Sequence, residues 1–419
     1  MKKKILSMAI VVCMLISMMP TMVFTAEEIP YLDENGTEQT CASATELIEH
    51  DTIWNEGWYI AKGDVTITDR VQLNGDVHLI LADGAKLNVP KGISLYRNPG
   101  RFTVYAQSTD EEKMGKLEAI AGRYDAAIGN AFYVGEVTIN GGTVTASGSY
   151  YGILGNVTIN GGTITATGKN YGLGMNTGIE AAEVMTISGG TVTATGDRVG
   201  IEGPLSTGES GNAVIFASSI SDQSQKDSWN GVIFEGTEGK VYGNITPEGS
   251  FEIPANYTLN IPDGNTLTIE KDITLTNSGV IELGGKIINN GRIIKISDNG
   301  AIEGGGNISG KEIKDTVRNE KYIDENGEEQ ICAVALSVKA DDTVWSNGWY
   351  IVQGEITLEN RPEVQGEVHL ILADGAKLIA PFGIKVQDDD DNAETEASTA
   401  LQFTLSPQTK AQWEALRRQ

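Results

Sequence analysis

The residues of this sequence that could act as acids, bases or nucleophiles are few and scattered. His78 and His369 occupy the same place in two copies of one phrase, and His50 stands alone. His78 lies between the apolar residues Val77 and Leu79, so strand alternation predicts an outward, structural histidine rather than a general base. No serine or cysteine is accompanied by a pattern of base and orienting residues.

The only dense acidic run is found in a polar stretch from Gln387 to Ser398. Such a run is typical of a solvated loop, but carboxylate oxygens are also preferred calcium ligands. The candidate metal ligands are Asp388, Asp389, Asp390 and Asp391. A polysaccharide hydrolase or lyase needs grouped carboxylates, or carboxylates with Arg or Lys, and no motif of that kind is evident. We therefore predict no catalytic residue and no cofactor, with bound calcium as the alternative.

Two groups of aromatic residues are candidates for ligand contact. The first group precedes the strands of a repeated module, and it could stack on sugars or form a hydrophobic cap on the open end of the fold. The second group lies where a shorter repeat is interrupted, and we expect the loops Tyr150–Tyr151, Tyr171–Ile179 and Asp197–Glu202 to carry contacts. The candidate binding residues are Trp54, Trp58, Tyr150, Tyr151 and Tyr171.

A long repeat determines where these residues must lie. Residues 31–95 return without gaps at 322–386, with 35 identities in 65 positions. Both copies contain Gly-Trp-Tyr-Ile and Val-His-Leu-Ile-Leu-Ala-Asp-Gly-Ala-Lys-Leu. The second copy is truncated, because the match to the first copy stops soon after residue 405.

A shorter repeat lies between the two copies and reads as strand, turn, strand. Val137-Thr-Ile-Asn-Gly-Gly-Thr-Val-Thr-Ala-Ser-Gly148 recurs from Val157 and again from Met185. Alternation with a period of two buries one face, and the Gly-Gly pair permits a tight corner. Because such short strands cannot bury their apolar face alone, successive units must stack on one another. The longer interval before Met185 predicts an inserted loop near Met175–Ala182.

Stacked units place equivalent residues in ladders along the fold axis. The inward ladder is predicted to contain Ile139, Ile159 and Ile187. The corner ladder is predicted to contain Asn140, Asn160 and Ser188, whose side chains can hydrogen-bond along the axis. We expect both ladders to be structural. Outward Thr-x-Thr pairs on the second strand of each unit are predicted to be solvent-facing strand residues.

The N-terminus and the composition define the expected class of protein. A run of three lysines followed by an apolar segment and small residues near Ala26 predicts a cleaved signal peptide and a secreted or cell-surface chain. The net charge of −26 argues against nucleic acid as a partner. No later segment is apolar enough to span a membrane. Cys41 and Cys332 are expected to be small buried side chains rather than a disulfide.

The phrases Gly-Trp-Tyr-Ile, Val-His-Leu-Ile-Leu-Ala-Asp-Gly-Ala and Val-Thr-Ile-Asn-Gly-Gly-Thr-Val-Thr-Ala resemble those of secreted repeat proteins of anaerobic Gram-positive bacteria. The resemblance covers most of residues 31–405 and implies an all-β, right-handed parallel β-helix (β-solenoid) of the pectate-lyase-like class. The fold is shared by lyases, hydrolases, adhesins and toxins, so it implies no particular reaction.

The C-terminal residues 410–419 match nothing in the first copy. In an alternative reading frame, codons for Gln-Trp-Glu permit a glycine-containing phrase similar to Met114-Gly-Lys at the equivalent place in the first copy. We therefore hypothesise a frameshifted end, with a genuine short tail as the alternative. The expected organisation is a signal peptide at 1–26, a cap segment at 27–62, a β-helix at 63–310, a linker at 311–321, the second copy at 322–408 and an out-of-register tail at 409–419.

These observations favour a non-catalytic secreted or cell-surface β-helix that binds carbohydrate or a host matrix surface, in the manner of an adhesin. The first alternative is a polysaccharide lyase or hydrolase. The second is a structural spacer within a surface protein. The three are distinguished by the surface of the folded chain: a groove with grouped carboxylates favours an enzyme, an aromatic-lined groove favours binding, and a smooth threonine surface favours a spacer.

Overall fold

The fold is known from a computed structural model that describes residues 28–95, 100–122, 126–130, 135–174, 184–208, 211–296, 300–386 and 402–409. It is the all-β parallel β-helix expected from the repeats, with about 15 turns. The one helical element among the described residues is a 3-10 turn at Lys226–Ser228. None of the described helical segments has the length and apolar character needed to cross a membrane.

The first segment, residues 29–235, contains 23 strands among the residues that the structure describes. They are β1 (Ile29–Leu32), β2 (Glu38–Cys41), β3 (Thr45–Glu46), β4 (Ile53–Ala61), β5 (Asp64–Thr66), β6 (Val71–Leu81), β7 (Lys86–Val89), β8 (Ile93–Leu95), β9 (Gly100–Ala106), β10 (Lys116–Ala121), β11 (Ala126–Gly129), β12 (Gly135–Ile139), β13 (Thr143–Gly148), β14 (Tyr151–Leu154), β15 (Asn156–Ile159), β16 (Thr163–Gly168), β17 (Tyr171–Gly174), β18 (Met185–Ile187), β19 (Thr191–Gly196), β20 (Val199–Ser206), β21 (Val214–Ala217), β22 (Ile220–Asp222) and β23 (Gly231–Glu235).

The middle and last segments contain the remaining strands. They are β24 (Glu238–Tyr242), β25 (Asn244–Ile245), β26 (Phe251–Ile253), β27 (Thr258–Ile261), β28 (Thr266–Ile269), β29 (Thr274–Asn277), β30 (Val280–Leu283), β31 (Lys286–Asn289), β32 (Arg292–Ile296), β33 (Ala301–Glu303), β34 (Asn307–Gly310), β35 (Lys314–Ile323), β36 (Glu329–Ser337), β37 (Val344–Val352), β38 (Glu355–Thr357), β39 (Glu363–Leu372), β40 (Lys377–Ile379), β41 (Lys385–Val386) and β42 (Gln402–Pro407).

Each coil that contains the short repeat has three strands rather than the two read from the repeat. β12, β13 and β14 form one coil, and each pairs in parallel with the equivalent strand of the next coil. The third strand, β14 or β17, begins at a tyrosine that we had assigned to a loop. It was missed because Tyr-Gly-Ile-Leu and Tyr-Gly-Leu-Gly contain glycine and lack the alternation of apolar and polar residues that identifies a half-buried strand.

The interior is apolar along the axis, with one packed cluster in the first segment and separate clusters in the middle and last segments. Ile139 pairs with Ile159, and Ile159 with Ile187, so the inward ladder runs through consecutive coils. All three side chains are fully buried, as are Val144 and Ile164 on the second strand of their coils. Each coil therefore covers the apolar side of its neighbour, and stability is distributed along the stack.

The chain reverses its direction around the axis twice. β23 and β24 are neighbours in one sheet but run antiparallel, and β24 then pairs in parallel with β27. β35 and β36 form a second antiparallel pair, after which β36 and β37 are parallel. The middle segment therefore winds in the sense opposite to that of the first and last segments. No alternation pattern distinguishes such a reversal from an ordinary turn.

Residues 311–321, interpreted above as a linker, are not a linker. Strand β35 begins at Lys314 and pairs with β32 of the preceding coil at Ile294. Lys314 and Lys339 both form ion pairs with Glu312 across this junction. The second copy of the module is thus joined to the solenoid through a continuous sheet.

In each copy of the module, a hairpin covers the outer face of the first coils. β1 and β2 are antiparallel, and Tyr31 packs on Trp58 with ring centroids 4.9 Å apart. In the second copy Tyr322 packs on Trp349 at 4.5 Å. The hairpin buries Ile80, which lies on the outward side of β6. The apolar run containing the repeated histidine is therefore buried on both faces.

Cys41 and Cys332 are buried, unpaired thiols that occupy equivalent places under these hairpins. The Cys41 Sγ donates to the carbonyl oxygen of Ser43 at 3.1 Å, and the Cys332 Sγ donates to that of Val334 at 3.2 Å. Burial raises the pKa of the Cys332 thiol, which disfavours the reactive thiolate.

We expect the native chain lacking residues 1–26 to react with Ellman's reagent much more slowly than the same chain in denaturant, where both thiols are exposed. The measurement is the time course of thionitrobenzoate release. A Cys41→Ser variant provides the one-thiol control. Rapid release from the native chain, or a cysteine-linked dimer on a non-reducing gel, would contradict the buried placement.

Candidate functional site

Three tyrosines from adjacent coils meet on the outer surface and form what we call the tyrosine ladder: Tyr150, Tyr151 and Tyr171. Tyr151 and Tyr171 are paired in register, and their rings are stacked with centroids 5.0 Å apart and an interplanar angle of 12°. Tyr150 lies 4.9 Å from the ring of Tyr151. Tyr171 is buried, whereas Tyr150 and Tyr151 are partly exposed. The ladder presents a partly apolar surface with phenolic hydroxyls.

Two charged residues of the next coil complete this surface. The Cζ of Arg198 lies 5.8 Å from the centroid of the Tyr171 ring, within the range of a cation–π contact. Tyr171 also forms a side-chain hydrogen bond with Glu202. Burial raises the pKa of the Glu202 carboxyl, although Tyr171 and Arg198 oppose the increase. The ladder therefore combines aromatic faces with one acid and one cation.

The hydroxyls of Tyr151 and Tyr171 remain protonated at physiological pH. Burial raises the pKa of Tyr151 to about 12, with a smaller contribution from the negative charge of Glu202. The pKa of Tyr171 is raised for the same two reasons. Protonated phenols can donate as well as accept hydrogen bonds, which suits them to hydroxyl-bearing ligands.

Glycines of the third strand create the space that the ladder occupies. A Cβ on Gly174 would overlap the ring of Tyr151. Residue 174 ends β17, the strand that pairs with β14. Because the side chain of Tyr151 extends across the position of Gly174, a substitution there would displace the ring.

The two tryptophans lie away from the tyrosine ladder, and Trp54 is not the surface binding residue that the sequence predicts. Trp54 is fully buried, its ring 5.6 Å from that of Tyr59, and its indole N–H donates to the carbonyl of Asp51. It therefore belongs to the core at the N-terminal end and is not a surface stacking residue. Trp58 is partly buried and stacked on His78 at 4.5 Å under the N-terminal hairpin.

The predicted corner ladder is a chain of hydrogen bonds. The Asn160 Nδ2 donates to Asn140 Oδ1 at 2.9 Å, and the Ser188 Oγ donates to Asn160 Oδ1 at 3.0 Å. A groove of about 790 Å³ runs along these three residues, and we call it the asparagine groove. Its walls are the segments 108–114 and 246–250, with the turn of the N-terminal hairpin at one end.

Sequence reasoning did not find the acidic residues of this groove. Glu111 accepts a hydrogen bond from the backbone N–H of Ser250 at 2.9 Å, across 139 positions of the chain. Glu248 accepts one from the backbone of Gly190, and burial raises the pKa of its carboxyl. These residues lie in irregular segments far apart in the sequence, so only the fold brings them together.

The acidic run at 388–391 and the predicted insertion near Met175–Ala182 lie outside the described residues. The strands on either side of the insertion, β17 and β18, are described. Within the described ranges, no three His, Cys, Asp or Glu side chains are arranged so that they could hold a metal ion. Arg198 and Glu202 fall in the segment 197–202 that was predicted to carry contacts. That segment contains the start of strand β20 rather than a loop.

Comparison with known proteins supports the fold and nothing more specific. The family described as beta helix repeat matches residues 137–153, 157–179 and 186–211. These matches fall on the coils that carry the tyrosine ladder and the corner ladder. No curated protein and no solved structure matches the chain significantly.

Proposed function

We propose that this chain is a non-catalytic, secreted or cell-surface β-helix that binds carbohydrate through the tyrosine ladder. The observation that carries the proposal is the convergence of three tyrosines, Arg198 and Glu202 on one outer surface of adjacent coils. Aromatic rings pack on the apolar faces of sugar rings, and charged and phenolic groups bind the hydroxyls around them. Few convergent polar groups on an apolar surface are typical of ligand sites.

Export of the chain is part of this proposal and is supported by the basic and apolar N-terminal residues. The charge of −26 also suits a soluble extracellular protein. The contact residues lie on the side of the solenoid, where they can bind a ligand on a host or matrix surface.

We expect Tyr150→Ala and Tyr151→Ala each to weaken glycan binding about 5- to 30-fold, because each removes an aromatic face worth roughly 1–2 kcal/mol. The mature full chain is first screened on a glycan array, and the best ligand is then titrated calorimetrically. Tyr151→Phe, which keeps the ring, should retain most of the affinity. Thr165→Ala, on another face of the same coils, is the matched control.

Unchanged affinity in both alanine variants, with unchanged melting temperatures, would show that the glycan does not bind at the tyrosine ladder. Failure of the wild-type chain to bind any glycan or matrix component would favour the spacer function instead.

A second candidate function is glycoside hydrolysis, favoured by the raised pKa of Glu202, which suits a general acid. Hydrolysis requires a second carboxylate about 5–9.5 Å from the first. Release of reducing sugar by wild-type protein, abolished in Glu202→Gln, would establish this function in place of binding alone.

A further inference from the structure

The asparagine groove has the dimensions of a ligand site and lies away from the tyrosine ladder. Its volume of about 790 Å³ is within the range of about 300–1,000 Å³ typical of small-molecule sites. It is formed by five separate parts of the chain: the corner of the coils, the turn of the N-terminal hairpin and the segments 108–114, 246–249 and 270–273. The hydrogen bond from Ser250 to Glu111 holds the two walls together.

The floor of the groove offers hydrogen-bond donors that the corner ladder does not use. Each asparagine carboxamide has two N–H donors. The ladder uses one donor of Asn160, and it uses Asn140 as an acceptor. The side chains of Asn140 and Asn160 are partly exposed, so sugar hydroxyls can accept hydrogen bonds from the carboxamide N–H groups that the ladder leaves unused.

The walls are strongly acidic. Carboxylates at the groove outnumber its cationic side chains, since Lys271 is the one lysine or arginine among the described lining residues. A cleft lined by charge of one sign concentrates ligands of the opposite sign. The acidic lining residues are Glu34, Glu111, Glu248 and Glu270.

We propose that the asparagine groove is a second binding site, specific for sugars that carry a free amine, with the ammonium group at Glu248 and the hydroxyls on the corner ladder. An acetylated amine would lose the charge that the walls attract. A uronate would be repelled by the same walls. The site is independent of the tyrosine ladder, so it stands whether or not the ladder binds glycans.

The test is calorimetric titration of the mature full chain with tetramers of glucosamine, N-acetylglucosamine and galacturonate at pH 6 and low salt. We expect the glucosamine tetramer to bind at least about tenfold more tightly than the acetylated one, and the galacturonate tetramer not to bind. Affinity for glucosamine should fall as salt is raised, because the attraction is electrostatic.

Glu248→Gln should weaken glucosamine binding about tenfold or more while keeping the hydrogen bond from Gly190, since the amide oxygen still accepts it. Glu238→Gln, an exposed carboxylate on β24, is the matched control and should bind normally. Tyr150→Ala should also bind glucosamine normally, which separates this site from the ladder. Equal affinity for the acetylated tetramer, or full affinity in a folded Glu248→Gln variant, would overturn the proposal.

Discussion

Gly148→Ala should destabilise the first segment by about 3 kcal/mol or more, although it adds one methyl group. A Cβ at residue 148 would overlap the carbonyl oxygen of Tyr151, and it would lie 3.1 Å from the backbone nitrogen of Ala127 in the preceding coil. The obstruction is backbone, which cannot move aside without separating two coils. We expect a lower urea midpoint, measured by circular dichroism of the full mature chain.

Gly122→Ala is the matched control for this prediction. The position follows β10 directly, and a Cβ there would have no heavy atom within 4 Å among the residues that the structure describes, apart from its chain neighbours. It should change the free energy of unfolding by less than about 1 kcal/mol, in either direction. If both variants had the same stability, the corner between the second and third strands would not be as closely packed as the structure shows.

Gly148, between β13 and β14, shows which part of the coil the sequence predicts and which part it does not. Gly148 recurs as Gly168 and Gly196, so the repeat predicted that a glycine was needed. It did not reveal why. A Cβ on each of these glycines would overlap the carbonyl oxygen of Tyr151, Tyr171 or Val199, at the start of the third strand. Because alternation does not reveal that strand, the sequence predicts loops at Tyr150–Tyr151 and Tyr171–Ile179 instead.

Coil spacing and inward ladders were predictable because they depend on periodicity alone. Strand pairing between coils requires equivalent residues to align, and a one-residue slip would turn the apolar side chains outward. The outward burial of Ile80 was harder to predict, since it depends on the hairpin that folds back over β6. The continuous apolar run around it was a usable signal, because runs of that kind are typical of strands buried on both faces.

The asparagine groove could be predicted only in part. The repeat placed Asn140, Asn160 and Ser188 in one line, and their hydrogen bonds follow from that alignment. The position of Glu248 depends on the reversal between β23 and β24, which returns the chain to that corner. No local pattern encodes a contact across so many residues, so the acidic wall required the fold.

Ile93→Ala and Ile384→Ala should differ in their effects, although the two isoleucines are equivalent residues of the repeated module. Ile93 is fully buried and pairs with Ile128 of the next coil, so its truncation should cost about 2–5 kcal/mol. Ile384 is only partly buried, and its truncation should cost roughly 1 kcal/mol or less. Hydrogen exchange of peptides from β6 and β39 measures the two local stabilities separately.

The difference arises because, among the described residues, a coil covers β8 of the first copy and none covers β41 of the second. In the first copy β11 pairs with β8, whereas among the described strands β41 pairs only with β39 and lies at an edge. Leu95 is accordingly 1% exposed and its equivalent Val386 48% exposed. The two modules share most of their sequence, so a difference in composition cannot explain unequal losses of stability in the two variants. The difference must come from the stacking of a further coil. Equal costs would show that another segment or another molecule covers β41, and protection of Val386 would then locate that contact.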